Sequence, residues 1–278
     1  MREATPAATP PPLYPDMPDM AHLHWRDPGI VGRLRLACRA TLIMLALILC
    51  VPVYYLWRIL RLSNPWPRVF LALVARCCGA RVGIRGTPLK RDVFYISNHL
   101  SWLDIPVIAG RNGSSFVSQD GIRNWPLVGW LCRLNNTVFV SRGNRMGIAA
   151  QINELREALS QTWAITIFPE GTTTSGAALL PFKSPLLQVL DPPPPGIMVQ
   201  PLYLDYGAAA HDIAWVGEET APHNALRLFT RKGSFAVTLN FLEPFSPADF
   251  PGRKAIAAEA RLRIEAALSA SLAAVPIV

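Results

Sequence analysis

The sequence predicts an α/β fold: a mostly parallel sheet flanked by helices, preceded by an N-terminal membrane-inserted helix or helix pair. Three observations carry that expectation. Apolar, β-prone runs at Val93–Ser97, Ser114–Ser118, Thr137–Ser141 and Ala164–Phe168 alternate with helix-like stretches, the pattern of parallel strands joined by crossovers. The stretch Ala40–Trp57, ATLIMLALILCVPVYYLW, holds eighteen residues without a charge, at the lower limit of a membrane span. Apolar residues make up 51% of the 278 positions and charged residues only 17%, a composition rich in apolar side chains for a freely soluble domain.

In chain order, residues 1–19 hold six prolines and almost no apolar periodicity, so they read as a disordered tail. Residues 30–78 form the membrane-anchoring segment. Arg33, Arg35 and Arg39 precede the apolar stretch and Arg58, Arg61 and Arg68 follow it, so the positive-inside rule sets no orientation. Pro52 is placed to kink the helix. A second apolar run, Val69–Ala75, leaves two readings open: one full span, or two helices inserted into a single leaflet from the cytoplasmic side. A buried soluble helix is the third reading. The charges at both ends and Tyr54, Tyr55 and Trp57 at one edge argue against it.

Residues 81–278 read as one globular domain. Its best helix signal is Arg145–Ser160, with Asn144 placed to cap it and Ile148, Ile152, Leu155 and Leu159 along one face. Asp191–Gly196, DPPPPG, reads as a rigid loop. Strand-like runs follow at Ile197–Leu204, Ile213–Val216 and Ser234–Phe241. A closing helix over Arg253–Ala270 carries Ile256, Ala260, Ile264 and Leu268.

The formal charge of +8 suits an anionic lipid surface, an acidic protein or nucleic acid. The apolar content favours lipid, and neither a zinc-finger spacing nor a run of basic residues points to nucleic acid. Five cysteines occur without a CxxC pair. That is not a disulfide framework, and it points to a reducing compartment.

Three strand ends carry residues able to do chemistry. In YISNHLSWLDIP, Tyr95–Pro106, His99 follows an apolar run and Asp104 lies five positions on. A neutral imidazole can take a proton from a hydroxyl that attacks an acyl carbonyl, and a carboxylate at its other nitrogen holds the tautomer. The same residues also read as a capping box, with Ser101 at the N-cap and Asp104 three residues later. In AITIFPEGTTTSG, Ala164–Gly176, Pro169 stops a strand, Gly171 permits a tight turn, and Glu170 stands between them ahead of Thr172, Thr173, Thr174 and Ser175. Such a loop suits a polyol or amine head group. In NNTVFVSR, Asn135–Arg142, a strand ends in an arginine, which binds phosphate or carboxylate.

Taken together, the blocks NHLSWLD, TVFVSR, FPEGT and VQPLYL (Val199–Leu204) resemble the glycerolipid acyltransferase family that includes 1-acylglycerol-3-phosphate acyltransferases. The resemblance spans about residues 35–245. It implies that His99 is a general base and Asp104 its partner, with Arg142, Glu170, Gly171, Thr172 and Lys183 around the acceptor. It also implies an acyl thioester on acyl carrier protein or coenzyme A as co-substrate, with no further cofactor and no metal. It implies as well a lysolipid hydroxyl as acceptor, and a place in a bacterial inner membrane with the active site facing the cytoplasm.

Two positions depart from the phosphatidic-acid-forming members. Thr173 stands where they usually carry arginine, and the FKxG segment reads FKSP through Ser184–Pro185. Together with WPLVGWLCRLNNTVFVSR, the FPEGTT form is more similar to the bacterial branch that acylates lyso-ornithine lipid, whose head group carries no phosphate. Glu170 would then pair with the ornithine amine. The phosphate acceptor stays close behind, served by Arg142 and Lys183. A hydrolase is disfavoured because no GxSxG elbow is present, and a nucleotide-binding protein because no Walker A or GxGxxG is present. A non-catalytic membrane lipid-binding protein would have no need of His99 with Asp104.

Overall fold

The computed structural model describes residues 27–140, 152–153, 155–157 and 164–273. The chain opens with α1 (Gly29–Ile59) and α2 (Trp66–Cys77), which pack together through Ala46, Cys50 and Phe70, with Leu71, Val74 and Leu131 against them. Both are longer than the apolar runs read from the sequence, because the flanking arginines and Pro65 at the entry to α2 are compatible with helix. At 31 residues α1 is long and apolar enough to cross a membrane by length and composition, and only 11% of its most apolar window is buried.

The domain that follows contains β1 (Ala80–Arg85), β2 (Val93–Ser97), α3 (Asp104–Asn112), β3 (Ser115–Gln119), α4 (Asp120–Arg123), α5 (Pro126–Leu134), β4 (Val138–Val140), β5 (Ala164–Ile167) and β6 (Met198–Asp205). It ends with α6 (Ala210–Ile213), α7 (Ala221–Thr230), β7 (Phe235–Phe241) and α8 (Gly252–Ala273). The sheet order is β1-β7-β6-β2-β5-β3-β4. Neighbours run parallel except β6 and β7, which are antiparallel. The sheet is therefore mostly parallel, as the alternating pattern predicts, with β7 and β1 reversed at one edge.

Every residue of β2 is buried, as a central strand covered on both faces requires. Its side chains alternate between two cores. Val93 and Tyr95 join Leu103, Val107, Ile108 and Leu228 on the α3/α7 face. Phe94 and Ile96 join Ile256, Ala260, Ile264 and Leu268 on the α8 face. The four apolar positions of the closing helix are thus the ones that dock.

Two strand expectations change. The strand β1, ARVGIR, was not legible, because its exposed arginines break the apolar alternation at the sheet edge. The run Ile213–Val216 is not a strand: α6 ends at Ile213 and the next residues turn away. The place beside β6 is already taken by β7. The helix expected over Arg145–Ser160 lies largely outside the described residues; Ile152 and Leu155 are helical and buried against the α8 face.

The hairpin is fixed to the domain at two levels. Arg39 donates to the carbonyls of Leu228 at 2.7 Å, Phe229 at 3.1 Å and Gly233 at 3.2 Å, and Arg35 donates to that of Thr230 at 3.0 Å. These guanidinium groups satisfy orphan carbonyls at and just past the end of α7. Further along, Gly110 of α3 lies so close to α2 that a Cβ there would sit 2.7 Å from the Ala72 Cα and 2.8 Å from its nitrogen. A mid-helix glycine costs roughly 0.5–1 kcal/mol relative to alanine; the close approach of α2 is what it permits.

Candidate functional site

The site forms where β2 ends. Asn98 ties that end to β6: its amide donates to the Leu204 carbonyl at 3.0 Å, and its oxygen accepts from the Leu204 N–H at 2.8 Å. His99 comes next, and five residues later Asp104 opens α3. Asp104 is fully buried. Its Oδ2 lies 2.8 Å from His99 Nδ1 and accepts from the backbone N–H groups of Leu100 at 2.6 Å and Ser101 at 3.0 Å. Its Oδ1 accepts from the Tyr206 hydroxyl at 2.7 Å. A carboxylate takes only donors, so Nδ1 carries a proton, and in the neutral imidazole this leaves the lone pair on Nε2. The His99 side chain is 18% exposed.

Catalysis and capping, the two readings of this motif, turn out to share one carboxylate. The Ser101 N–H to Asp104 bond is half of a capping box. The other half is displaced: the Ser101 hydroxyl accepts from the Leu103 N–H at 3.4 Å, the Asp104 N–H goes to the Ser101 carbonyl at 3.1 Å, and α3 has Leu103 at its N-cap. Asp104 therefore folds the turn and orients His99 through the same oxygen, Oδ2, while Oδ1 is held by Tyr206.

The loop after β5 supports this turn. Phe168 stacks on the His99 ring, centroids 3.9 Å apart and 9° from parallel, and also stacks against Phe116. Glu170 is 1% exposed. Its Oε1 accepts from the His99 N–H at 3.0 Å and its Oε2 from the Leu180 N–H at 2.9 Å. Burial pushes its carboxyl up to about 7, against the opposing pull of these two N–H groups. The His99 carbonyl in turn accepts from the Thr174 N–H at 2.8 Å and the Thr174 hydroxyl at 3.2 Å. Thr173 donates its hydroxyl to the Trp215 carbonyl, and the Trp215 N–H donates to the carbonyl of Leu100 at 2.8 Å.

The residues expected around an acceptor therefore separate into two groups. Glu170 braces the His99 backbone rather than presenting a free carboxylate. Gly171, Thr172 and Lys183 gather at the outer rim. Gly171 has φ +72°, and a Cβ there would meet Lys183 Nζ at 3.0 Å. Thr172 and Lys183 are exposed, and the Lys183 N–H donates to the Pro169 carbonyl at 2.8 Å, which folds the FKSP segment onto FPEG. Arg142 lies outside the described residues. Sequence reasoning missed Tyr206 and Phe168. Phe168 carried a faint signal as the last apolar residue of a strand beside β2; Tyr206 carried none. Among the cysteines, burial pushes Cys78 up to about 12, which keeps it a thiol.

A buried carboxylate holding an imidazole by Nδ1 at a strand end, with no serine or cysteine hydrogen-bonded to that imidazole among the described residues, suits direct transfer between two substrates. A sequence model of the family described as Acyltransferase matches residues 81–205. The lyso-ornithine lipid O-acyltransferase of Rhodobacter capsulatus is 33% identical over 253 residues, covering 84% of this chain and 90% of that protein. The chain belongs to the glycerolipid acyltransferase family and is an acyltransferase of the lysolipid type. It is similar as well to the lyso-ornithine lipid O-acyltransferase of Brucella abortus, 32% identical over 84% of this chain and 93% of that protein. The 1-acyl-sn-glycerol-3-phosphate acyltransferase of Neisseria gonorrhoeae is 36% identical over 42% of this chain and 46% of its own length. The solved 1-acyl-sn-glycerophosphate acyltransferase PlsC from Thermotoga maritima shares the fold, with a TM-score of 0.56 at 21% identity over 87% of this chain and 99% of that one.

Proposed function

We propose that the protein transfers a fatty acyl chain from an acyl thioester, on acyl carrier protein or coenzyme A, to the hydroxyl of lyso-ornithine lipid. The observation that supports this acceptor most is the reach of the likeness. The Rhodobacter and Brucella relatives named for lyso-ornithine lipid align over 84% of the chain, and the Neisseria 1-acylglycerol-3-phosphate relative over 42%. Thr173, where the phosphate-using pattern has arginine, agrees with it: a neutral hydroxyl that donates to the Trp215 carbonyl stands in place of a cation.

In this reading Nε2 of neutral His99 removes the acceptor hydroxyl proton as the oxygen bonds to the thioester carbonyl carbon. Collapse of the tetrahedral adduct breaks the C–S bond, and the leaving thiolate takes the proton back from the imidazolium. Asp104 remains ionised and keeps hold of Nδ1–H throughout. Nothing beyond the thioester is required. Gly171, Thr172 and Lys183 form the acceptor rim, Arg142 serves the acceptor as the sequence resemblance implies, and Glu170 positions His99.

The hairpin lies in one leaflet of a bacterial inner membrane, with His99 on the cytoplasmic side. About 46 Å of helix exceeds a hydrocarbon core of about 30 Å. The first part of α1 is hydrogen-bonded to α7 and its middle packs on α2, so the domain flanks the helix instead of hanging from its end. Arginines at both ends, uninformative for a spanning helix, are what a helix lying in the plane needs to reach the same layer of phosphates.

A second reading, phosphatidic acid formation, is favoured by one observation, the exposed Lys183 amine beside Gly171. Membranes bearing the protein, given labelled acyl donor and both lysolipids, separate the two. Ornithine lipid as the main product is expected, and Thr173→Arg is expected to raise the relative kcat/KM for 1-acylglycerol-3-phosphate. Phosphatidic acid as the sole product would overturn the ornithine reading.

A further inference from the structure

We propose that the cavity at the far end of α1 binds the phosphate headgroup of an anionic membrane phospholipid, at a site separate from the catalytic turn. The cavity measures about 670 Å³ and is lined by Arg58, Arg61 and Arg133 together with Tyr54, Tyr55 and Trp130, and no carboxylate lines it among the described residues. Three guanidinium groups around one concavity match the oxygens of a phosphate.

Its position separates it from the acyl-transfer site. Asn136, in its wall, precedes β4, and the adjacent Asn135 donates to the carbonyl of Ser114, just ahead of β3. His99 follows the last residue of β2, and the strands from β2 to β4 run parallel. The cavity and the catalytic turn therefore lie at opposite ends of the sheet. The wall is built rather than loose. The Asn64 amide donates to the Tyr54 carbonyl at 2.9 Å, the Asn64 oxygen accepts from the Trp66 N–H at 3.2 Å, and Trp57 packs edge-on against Trp66. These contacts fix the link between α1 and α2.

The surroundings favour a lipid over a free phosphate ion. Leu56, Ile59, Leu60 and Leu62 are exposed next to the arginines, a surface that suits acyl chains and has no use for a soluble anion. Tyrosine and tryptophan at the same level are the residues that settle at the headgroup layer. The site depends on the hairpin facing a membrane and is indifferent to which lysolipid is acylated.

The experiment uses the purified full-length protein in neutral detergent micelles. Its melting temperature is followed while short-chain phosphatidylglycerol, short-chain phosphatidylcholine, inorganic phosphate or acyl carrier protein is added at constant ionic strength. A ligand that binds the folded state raises the melting temperature saturably. Phosphatidylglycerol is expected to do so and phosphatidylcholine not. The variant Arg58→Gln/Arg61→Gln/Arg133→Gln is expected to lose affinity by on the order of a hundredfold. The charge-matched control Arg81→Gln/Arg85→Gln/Lys90→Gln is expected to keep it. If the triple variant melts early without ligand, Arg133→Gln alone is used, with an expected loss of about fivefold. Equal losses in pocket variant and control would overturn the site, as would equal stabilisation by phosphatidylcholine. Stabilisation by inorganic phosphate matching that by the lipid would overturn the lipid assignment. Arginine-dependent binding of acyl carrier protein with no response to phosphatidylglycerol would make the cavity a carrier dock and overturn it too.

Discussion

The catalytic turn and the flank formed by α1 and α2 are held in place by opposite means. In the turn, the carboxylates and the backbone around His99 are held by hydrogen bonds. Asp104 takes four donors, Glu170 takes two, and the His99 carbonyl takes two from Thr174. On the flank, Leu42, Leu45, Ile48 and Leu49 are exposed, with no apolar cover among the described residues. The turn is specified by hydrogen bonds inside the protein. The flank is specified by the medium it faces, because its exposed apolar face gains nothing until that medium is apolar. Damage to one should therefore leave the other standing.

The largest expected break is at the imidazole. His99→Ala should reduce acyl transfer by about 10²–10⁴-fold while the protein still sediments with membranes. Asp104→Asn makes the same point without an obvious folding defect, since asparagine can keep the backbone bonds of the turn. A turn-only role for Asp104 predicts little loss, and the arrangement with His99 predicts a large one. Full activity in either variant, with labelled donor and lysolipid, would sink the assignment.

The converse break belongs on the flank. Leu45→Glu with Leu49→Glu should weaken membrane partitioning by on the order of a hundredfold. Turnover on micellar lysolipid should fall far less, because neither residue touches the turn. Co-sedimentation and micellar assays on the same preparation measure the two effects side by side.

Glu170→Gln sharpens the comparison within the turn. An amide has one acceptor oxygen where two N–H groups point, so one is left facing an NH₂. A loss of about 1–3 kcal/mol in stability is expected. The pH dependence carries a sign. Folding raises the Glu170 carboxyl from its ordinary 4.5 to about 7, so the folded state holds the proton more tightly than the unfolded chain. Its contribution is complete below about 4.5 and is lost as pH rises through 7, a slope worth of the order of 3 kcal/mol. Melting curves at several pH values should show that slope in the wild type and a flatter profile in the glutamine variant.

The smallest effect is expected from Tyr206→Phe. It removes one hydrogen bond from a hydroxyl to the ionised carboxylate that positions His99, about 1.5 kcal/mol. The kcat should fall severalfold while KM holds. A change confined to KM, or to thermal stability alone, would reduce Tyr206 to a packing residue.

How much of this was legible follows from sequence distance. His99 and Asp104 lie five residues apart, so one short motif contains both, and β2 was readable as an unbroken apolar run. Tyr206 and Phe168 reach the same site from β6 and β5. No local pattern announces them, because what brings them there is the strand order placing β2 between those two strands. Glu170 was seen but given another task. A carboxylate after a strand looks the same whether it meets solvent or the backbone N–H of a neighbouring strand end. The strand β1 failed for a different reason: at an edge, exposed arginines are tolerated and the apolar signal disappears.

The contact of Gly110 with Ala72 has a consequence for engineering and for divergence. The two positions act as one unit, since any side chain at 110 must displace α2 from α3, and a residue much larger than alanine at 72 would thicken the seam from the other side. The anchor is therefore not a cassette. A chimera that exchanges residues 29–77 for another membrane hairpin keeps the helix bearing Asp104 in place only if the donor hairpin brings a residue no larger than alanine to the point that faces Gly110.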